Sequence, residues 1–235
     1  SAQVERTEPL YVIGPPRVKE YVESTRKVLE MYINFPIIVQ EIEDPSQPGV
    51  VFRGDGFQIR SIPLRHTRMC VGYILEEDTR PGVFYPERAL AAHVPRGPLW
   101  SQLQQGISVE NSQGEVVKPE EVMGNVRTGR KFSYITDTLP QESIVSEVGN
   151  SDLLICEGMF ERNLRETSYE KKHMTAEDAG KLARAAGGVL RMGLIHYSPR
   201  YTNRELKKLL KEAQEFFPET FLTRDRQTIT IPYVD

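Results

Sequence analysis

The chain has 235 residues, a net charge of −3 and an isoelectric point of about 5.9, enough for one large domain, and that charge excludes a surface that grips nucleic acid everywhere. No apolar stretch approaches the ~20 residues needed to span a bilayer, and the opening SAQVERTEP lacks the basic and apolar regions of a secretory signal, so a soluble, cytoplasmic protein is expected. Cys70 and Cys156 sit in apolar, strand-like contexts and are expected to be free thiols.

Residues 10–13 read as a short apolar strand. Gly14-Pro15-Pro16 then opens a helix, because proline suits a first turn whose N–H groups have no intrahelical partner. Val18, Tyr21, Val22, Val28, Leu29 and Tyr32 recur at helical spacing, so this face is expected to pack on a sheet. Pro36 leads into a strand over 37–42. Residues 50–52 and 57–62 flank Gly54-Asp55-Gly56, a hairpin signal, since glycine readily takes positive φ. A strand over 71–75 follows His66.

From about residue 78 to 130 the pattern changes. Gly and Pro are frequent, periodicity is short, and helices are expected only at 86–93 and 99–105, as in an inserted arm. Trp100, after the turn Pro95-Arg96-Gly97-Pro98, is expected to anchor the arm's packing. The sheet pattern resumes with strands over 132–135 and 153–156 and a helix near 141–148. Thr175 caps a helix carrying Ala179, Leu182, Ala183 and Ala186, with Asp178 in a capping-box position and Gly187-Gly188 at its end. A strand over 192–195 follows. A last helix from Asn203 places Leu206, Leu209, Leu210, Ala213 and Phe217 on one face, and 228–231 is expected to close as a strand.

Four apolar runs break off at a residue able to bind metal or move a proton: IPLRH at His66, FSYITD at Asp137, LLICE at Glu157 and GLIH at His196. Open α/β sheets bind ligands at the carboxyl edge of their strands, so these endings could line one pocket. His173 lies just before a helix, and His93 lies in the arm. A catalytic zinc asks for imidazole and carboxylate, with three protein ligands and a place for water, and His66, Asp137 and His196 meet that count. Such an ion brings the pKa of its water toward neutrality. Each residue also has a plainer reading. A strand-end histidine is commonly a hydrogen-bonded structural residue, and Asp137-Thr138 fits a turn or cap. Glu157 before Gly158 fits a solvated turn, and His173 after Lys171-Lys172 fits an exposed basic face. Their joint placement at one edge is what points to a site.

The segments LIHYSPRY around His196, KHMTAEDA around His173, PLRHTRMCVGYILEE around His66 and YITDTLP around Asp137, with RTEPLYVIGPP and PRGPLW, resemble the ribonuclease Z family of tRNA 3′-processing nucleases over essentially the whole chain. The resemblance implies an α/β fold, a metallo-β-lactamase-like αββα sandwich, divided into a first core part (1–77), an inserted tRNA-binding arm (78–130) and a second core part (131–235). It implies a hydrolase with two Zn2+ ions that removes the 3′ trailer from precursor tRNA. His66 would bind one zinc, Asp137 would bridge both and His196 would bind the other. His173 would serve as proton donor or charge stabiliser at the scissile phosphate, with Glu157 behind it. The arm would clasp tRNA, commonly that of the other subunit of a homodimer. Arg88, Arg96, Arg127, Arg130 and Lys131 are the candidate phosphate contacts.

The chain departs from the family pattern in three ways. The His-x-His-x-Asp-His signature, expected to precede Ser1 with the first strands of the sandwich, is absent from these residues, as in a processed, truncated or partly represented polypeptide, so the active site is incomplete and activity is expected of the intact protein, not of this chain alone. Cys156-Glu157-Gly158-Met159 stands where the family often has His-Glu-Ala-Thr, and Thr136 where glycine is usual. Gln102, Gln104 and Gln105 occupy a stretch that relatives often make lysine-rich, which implies a weaker electrostatic grip on tRNA. Two rival classes stay open: a hydrolase of small phosphodiesters or sulfate esters on the same scaffold, and a non-catalytic binding or dimerisation subunit.

Overall fold

The computed structural model describes residues 6–234. They divide into a core unit, running to Glu76 and resuming over Lys131–Ile231, and an arm unit of Glu77–Arg130 with the residues from Pro232 onward. In chain order the elements are β1 (Leu10–Gly14), α1 (Val18–Val28), β2 (Ile37–Glu41), β3 (Gly49–Gly54), β4 (Phe57–Leu64) and β5 (Cys70–Glu77). The arm adds α2 (Pro86–Ala91), α3 (Pro98–Gln104), β6 (Val109–Glu110), β7 (Val116–Val117) and α4 (Pro119–Val122). The core resumes with β8 (Lys131–Ile135), α5 (Glu142–Val148), β9 (Leu153–Glu157), α6 (Arg165–Glu170), α7 (Ala176–Ala186), β10 (Met192–Ile195), α8 (Leu206–Gln214) and β11 (Thr220–Leu222).

The core is built on a seven-stranded sheet in the order β11-β10-β9-β8-β5-β4-β3. Strands β8 to β11 run parallel, and β5 runs antiparallel to β8. The unbroken apolar run of β9 fits its central place, where every residue of Leu153–Glu157 is buried. On one face Ile62, Ile74, Ile135, Leu154, Cys156, Met192 and Leu194 pack under α5, α7 and α8 through Ile144, Val148, Leu182, Ala183, Leu209 and Ala213. Helices α7 and α8 touch at Gly180, where an added Cβ would lie 2.4 Å from the Ala213 carbonyl oxygen. The capping box on α7 forms as expected, with Thr175 Oγ1 accepting from Asp178 N at 3.1 Å and Asp178 Oδ2 accepting from Thr175 N at 3.1 Å. Gly187 and Gly188 end the helix at φ 67° and 66°.

Strands β1 and β2 form a separate parallel pair over the other face. Tyr73 Oη donates to the Ile13 carbonyl at 2.9 Å, the rings of Tyr11 and Phe52 lie 5.6 Å apart, and Ile42, Val51 and Val71 form a small second core there. The packing expected of α1 is not observed. This helix buries no residue, and Tyr21, Val28 and Tyr32 are 71%, 78% and 87% exposed. It stops at Val28, so Leu29 and Tyr32 fall outside the stripe that sequence periodicity assigned to it. The closing strand expected at 228–231 is also not formed. The edge beside β10 is taken by Thr220–Leu222, and Thr230 offers only its carbonyl, to Arg191 Nη2 at 2.7 Å.

The arm unit has its own core of Ala89, Val94, Leu103, Val109, Val117 and Val122. Trp100 is its anchor. The indole N–H donates to the Val94 carbonyl at 3.1 Å, and the ring lies 5.1 Å from Phe84. Periodicity did not reveal the hairpin β6-β7 or α4, which are too short to show a pattern. At the stem Arg80 and Arg127 exchange backbone hydrogen bonds of 2.7 and 2.9 Å, Arg130 pairs with Glu77, and the Tyr233 ring lies 3.7 Å from the Arg80 guanidinium and 4.3 Å from that of Arg130.

Candidate metal centre

The four strand endings converge. His66 lies two residues past β4, Asp137 two past β8, Glu157 ends β9 and His196 directly follows β10, while the turn between α6 and α7 brings in His173. The His173 ring centroid is 4.8 Å from that of His66 and 5.0 Å from that of His196. His93 belongs to the arm unit and takes no part.

Asp137 stands between two imidazoles, with Oδ2 3.8 Å from His66 Nε2 and Oδ1 3.3 Å from His196 Nδ1. Burial pushes its carboxyl up, but the Thr136 hydroxyl, donating at 2.6 Å, and the neighbouring His196 and His173 together hold it below the usual range. His66 Nδ1 lies 3.0 Å from the Lys172 carbonyl. A carbonyl only accepts, so Nδ1 carries a proton there and Nε2 is the ring nitrogen that faces Asp137. His196 adopts φ 59°, and its Nδ1 is buried without a hydrogen-bond partner. Tyr197 fixes the following loop by accepting from Thr223 N at 2.9 Å. His196 also lines a cleft of about 760 Å³ with Ile155, Ile195, Tyr197, Leu222 and Arg224, so it is reachable from solvent.

Glu157 is wholly buried and His173 is 7% exposed, which sets aside the readings of a solvated turn and an exposed basic face. The Glu157 carboxylate accepts from Thr138 N at 2.5 Å and meets His173 Nδ1 at 3.1 and 3.2 Å. Burial raises the Glu157 carboxyl above the ordinary carboxylate range despite these bonds. For His173, burial lowers the imidazole, but the hydrogen bond and charge of Glu157 outweigh it and leave the group raised. Both directions favour a proton residing on the pair.

The donor atoms fall into two overlapping groups, His66 with Asp137 and His173, and Glu157 with His173 and His196, each with ligand atoms within 4.8 Å of one another. The unsatisfied His196 Nδ1 and the mixture of imidazole and carboxylate fit a divalent cation. Sequence reasoning missed the backbone partners, namely the Lys172 carbonyl on His66 and the Thr138 amide on Glu157, because such groups leave no trace in residue type.

The five cationic candidates differ in setting. Arg88 and Arg96 are exposed in the arm unit, beside the rings of Tyr85 at 4.3 Å and Trp100 at 5.8 Å. Arg127 Nε donates to the Pro81 carbonyl at 3.0 Å, and Arg130 is held by Glu77 and Tyr233. Lys131, in the core unit, binds the Glu147 carbonyl at 2.7 Å and Glu76 at 3.4 Å. No helix among the described residues is long and apolar enough to cross a membrane.

No family model matches the chain. It is 55% identical over 233 residues to ribonuclease Z of Treponema pallidum (strain Nichols), covering 99% of the chain and 74% of that relative. Ribonuclease Z of Treponema denticola is 54% identical over 235 residues, with 100% and 75% covered, and that of Borrelia hermsii 37% over 223 residues, with 94% and 69% covered. Among solved structures, the short form of human tRNase Z matches with a TM-score of 0.61 at 17% identity, covering 97% of this chain and 70% of that one. The metallo-β-lactamase fold protein YhfI of Bacillus subtilis matches with a TM-score of 0.55 at 18% identity, covering 92% and 63%. At such identities the structural likeness shows the fold alone, and it is the metallo-β-lactamase fold that the sequence implied. The sequence identity carries further: sustained over at least two thirds of each relative, it makes this chain a member of the ribonuclease Z family.

Proposed function

We propose that the protein in its intact form removes the 3′ trailer from precursor tRNA by hydrolysis of a phosphodiester, with two Zn2+ ions, as a cytoplasmic homodimer. The observation that carries the site assignment is Asp137, whose two oxygens face different imidazoles, His66 and His196, as a carboxylate shared between ions requires. His66, Asp137 and His196 would hold metal on this reading. A bound divalent ion makes water acidic enough to react near neutrality and offsets charge on the phosphoryl oxygens. His173, steadied through Nδ1 by Glu157, has Nε2 left to give a proton to the departing ribose oxygen. Exposed Arg88 and Arg96 support a tRNA-binding role for the arm, with Arg127, Arg130 and Lys131 as further, more internally engaged candidates.

Two variants test the assignment in the purified full-length enzyme. Asp137→Ala should cost both bound metal and turnover, whereas His173→Ala should keep the metal and lower the rate. Equal metal loss in both would show that the roles are wrongly assigned. Identity to ribonucleases Z over nearly the whole chain favours RNA over a small phosphodiester or sulfate ester. Deleting residues 79–128 separates these readings, because an enzyme of small esters would lose nothing.

A further inference from the structure

Ser168 lies in α6 and is wholly buried. Its hydroxyl donates to the His173 carbonyl at 2.9 Å, and its own carbonyl accepts from His173 N at 2.9 Å. Both backbone polar groups of His173 thus close on one serine. The loop between them is tight, with Lys172 N bound to the Tyr169 carbonyl at 3.0 Å and Lys172 at φ 58°, a left-handed conformation that costs any L side chain some strain. On the other side the backbone of 174–176 is tied to 159–160, by Met159 N to the Met174 carbonyl at 3.0 Å and Ala176 N to the Phe160 carbonyl at 2.8 Å. Glu157 fixes only the Nδ1 side of the ring. Where the ring as a whole stands depends on the backbone that carries it, and the Ser168 hydroxyl is the side-chain group bound to that residue's carbonyl.

We propose that Ser168 is a positioning residue for the cleavage reaction: closed on the backbone of His173, it sets the place from which His173 Nε2 hands its proton to the leaving oxygen. This rests on the proton-donor reading of His173 given above. In the step concerned, water oxygen forms a bond to phosphorus and the bond from phosphorus to the ribose 3′ oxygen breaks. That oxygen takes the proton from His173 Nε2, and the proton lost by water restores the imidazole, so hydrolysis consumes one water and nothing else.

The test compares two leaving groups. A ribose 3′ oxygen is a poor leaving group and needs the proton, whereas the p-nitrophenyl ester of thymidine 5′-phosphate expels a stable phenolate that does not. Ser168→Ala should lower kcat on precursor tRNA by about 10- to 100-fold, the scale of a misplaced catalytic group, with KM nearly unchanged. Its kcat on the nitrophenyl ester should change by less than about threefold. Ser168→Thr, which keeps the hydroxyl, should restore most of the loss. A purely structural serine would lower the melting temperature and move both substrates alike or neither, and that result overturns the proposal. His173→Ala, run alongside, tells two failures apart. If it shows the split and Ser168→Ala does not, Ser168 is no positioning residue. If it shows no split, the proton-donor reading falls and takes the proposal with it. Should Ser168→Ala not fold, Ser168→Cys fills the same space with a weak donor, and the same split, or its absence, decides the matter.

Discussion

Replacing Glu157 by glutamine isolates the carboxylate that stands behind His173. Glu157 is wholly buried and takes a backbone bond from Thr138 N at 2.5 Å and the imidazole of His173 at 3.1 Å. A glutamine has one carbonyl and one amide. The Thr138 N–H claims the carbonyl, so the amide hydrogens face His173 Nδ1, which must give up its own proton to accept one. The loss is one charge-assisted hydrogen bond to a buried group, about 1.5–3 kcal/mol. At about 1.4 kcal/mol per factor of ten, and if the bond acts fully in the transition state, kcat falls roughly 10- to 150-fold. The pH profile adds a sign. Burial lowers His173 and Glu157 outweighs it, so without that carboxylate the smaller pull of Asp137 is left against burial and Lys171, and the imidazole falls. A proton donor is active only while protonated, and activity is lost as pH rises through its pKa. The alkaline limb of kcat should therefore move to lower pH in Glu157→Gln. The same lost bond also lowers the melting temperature, so the displaced alkaline limb, which unfolding does not produce, is what identifies the effect. Steady-state kinetics on precursor tRNA across pH, with metal content and thermal melts as controls, provides the assay. A kcat within about twofold of the parent with an unmoved alkaline limb would refute the reasoning.

Gly180→Ala should destabilise the core unit, because the new Cβ would lie 2.4 Å from the Ala213 carbonyl oxygen and force α7 from α8. An overpacking cost of about 1–3 kcal/mol corresponds to a melting temperature lower by roughly 2–12 °C, and a rise driven by helix propensity would contradict it. Glu77 has its carboxyl held by Arg130 down to about 2, below its ordinary 4.5, so the stability this pair gives is present above the ordinary value and lost as pH falls toward the lower one. Glu77→Gln should accordingly loosen the arm stem at neutral pH and make no difference near pH 2, read by hydrogen exchange of the Arg80 and Arg127 amides. With Gln102, Gln104 and Gln105 exposed in the arm, the salt dependence of tRNA binding should be shallow, a log–log slope of about −2 for a few phosphate contacts, and a slope steeper than about −6 would contradict it.

The parts of this structure that announce themselves in sequence are those where residue type and period coincide. The Thr175 cap with Asp178, the glycines after α7 and the buried run of β9 are each dictated by local chemistry, and each forms. The strand endings at His66, Asp137, Glu157 and His196 are legible for the same reason, since a polar residue interrupts an apolar run at one edge of the sheet. Residues 228–231 alternate like a strand and join no sheet, whereas Thr220–Leu222 pairs over three residues, so ladder formation here depends on which segment reaches β10. The stripe of α1 shows the complementary failure, because periodicity reports that a face is apolar and not what covers it. At the site, the Lys172 carbonyl and the Thr138 amide do work that any residue could supply, and only coordinates reveal it.

The Tyr233 ring rests on Arg80 and Arg130, although about a hundred residues separate it from the nearer of the two. Polypeptide leaves the ribosome at about 5–20 residues per second, so the ring is made roughly 5–20 s after Arg130. The hairpin-like base of the insertion therefore has to keep its backbone pairing through that delay with the aromatic latch still unsynthesised. A nascent chain halted before residue 233 would carry an arm whose inner packing is complete and whose base still lacks its covering ring.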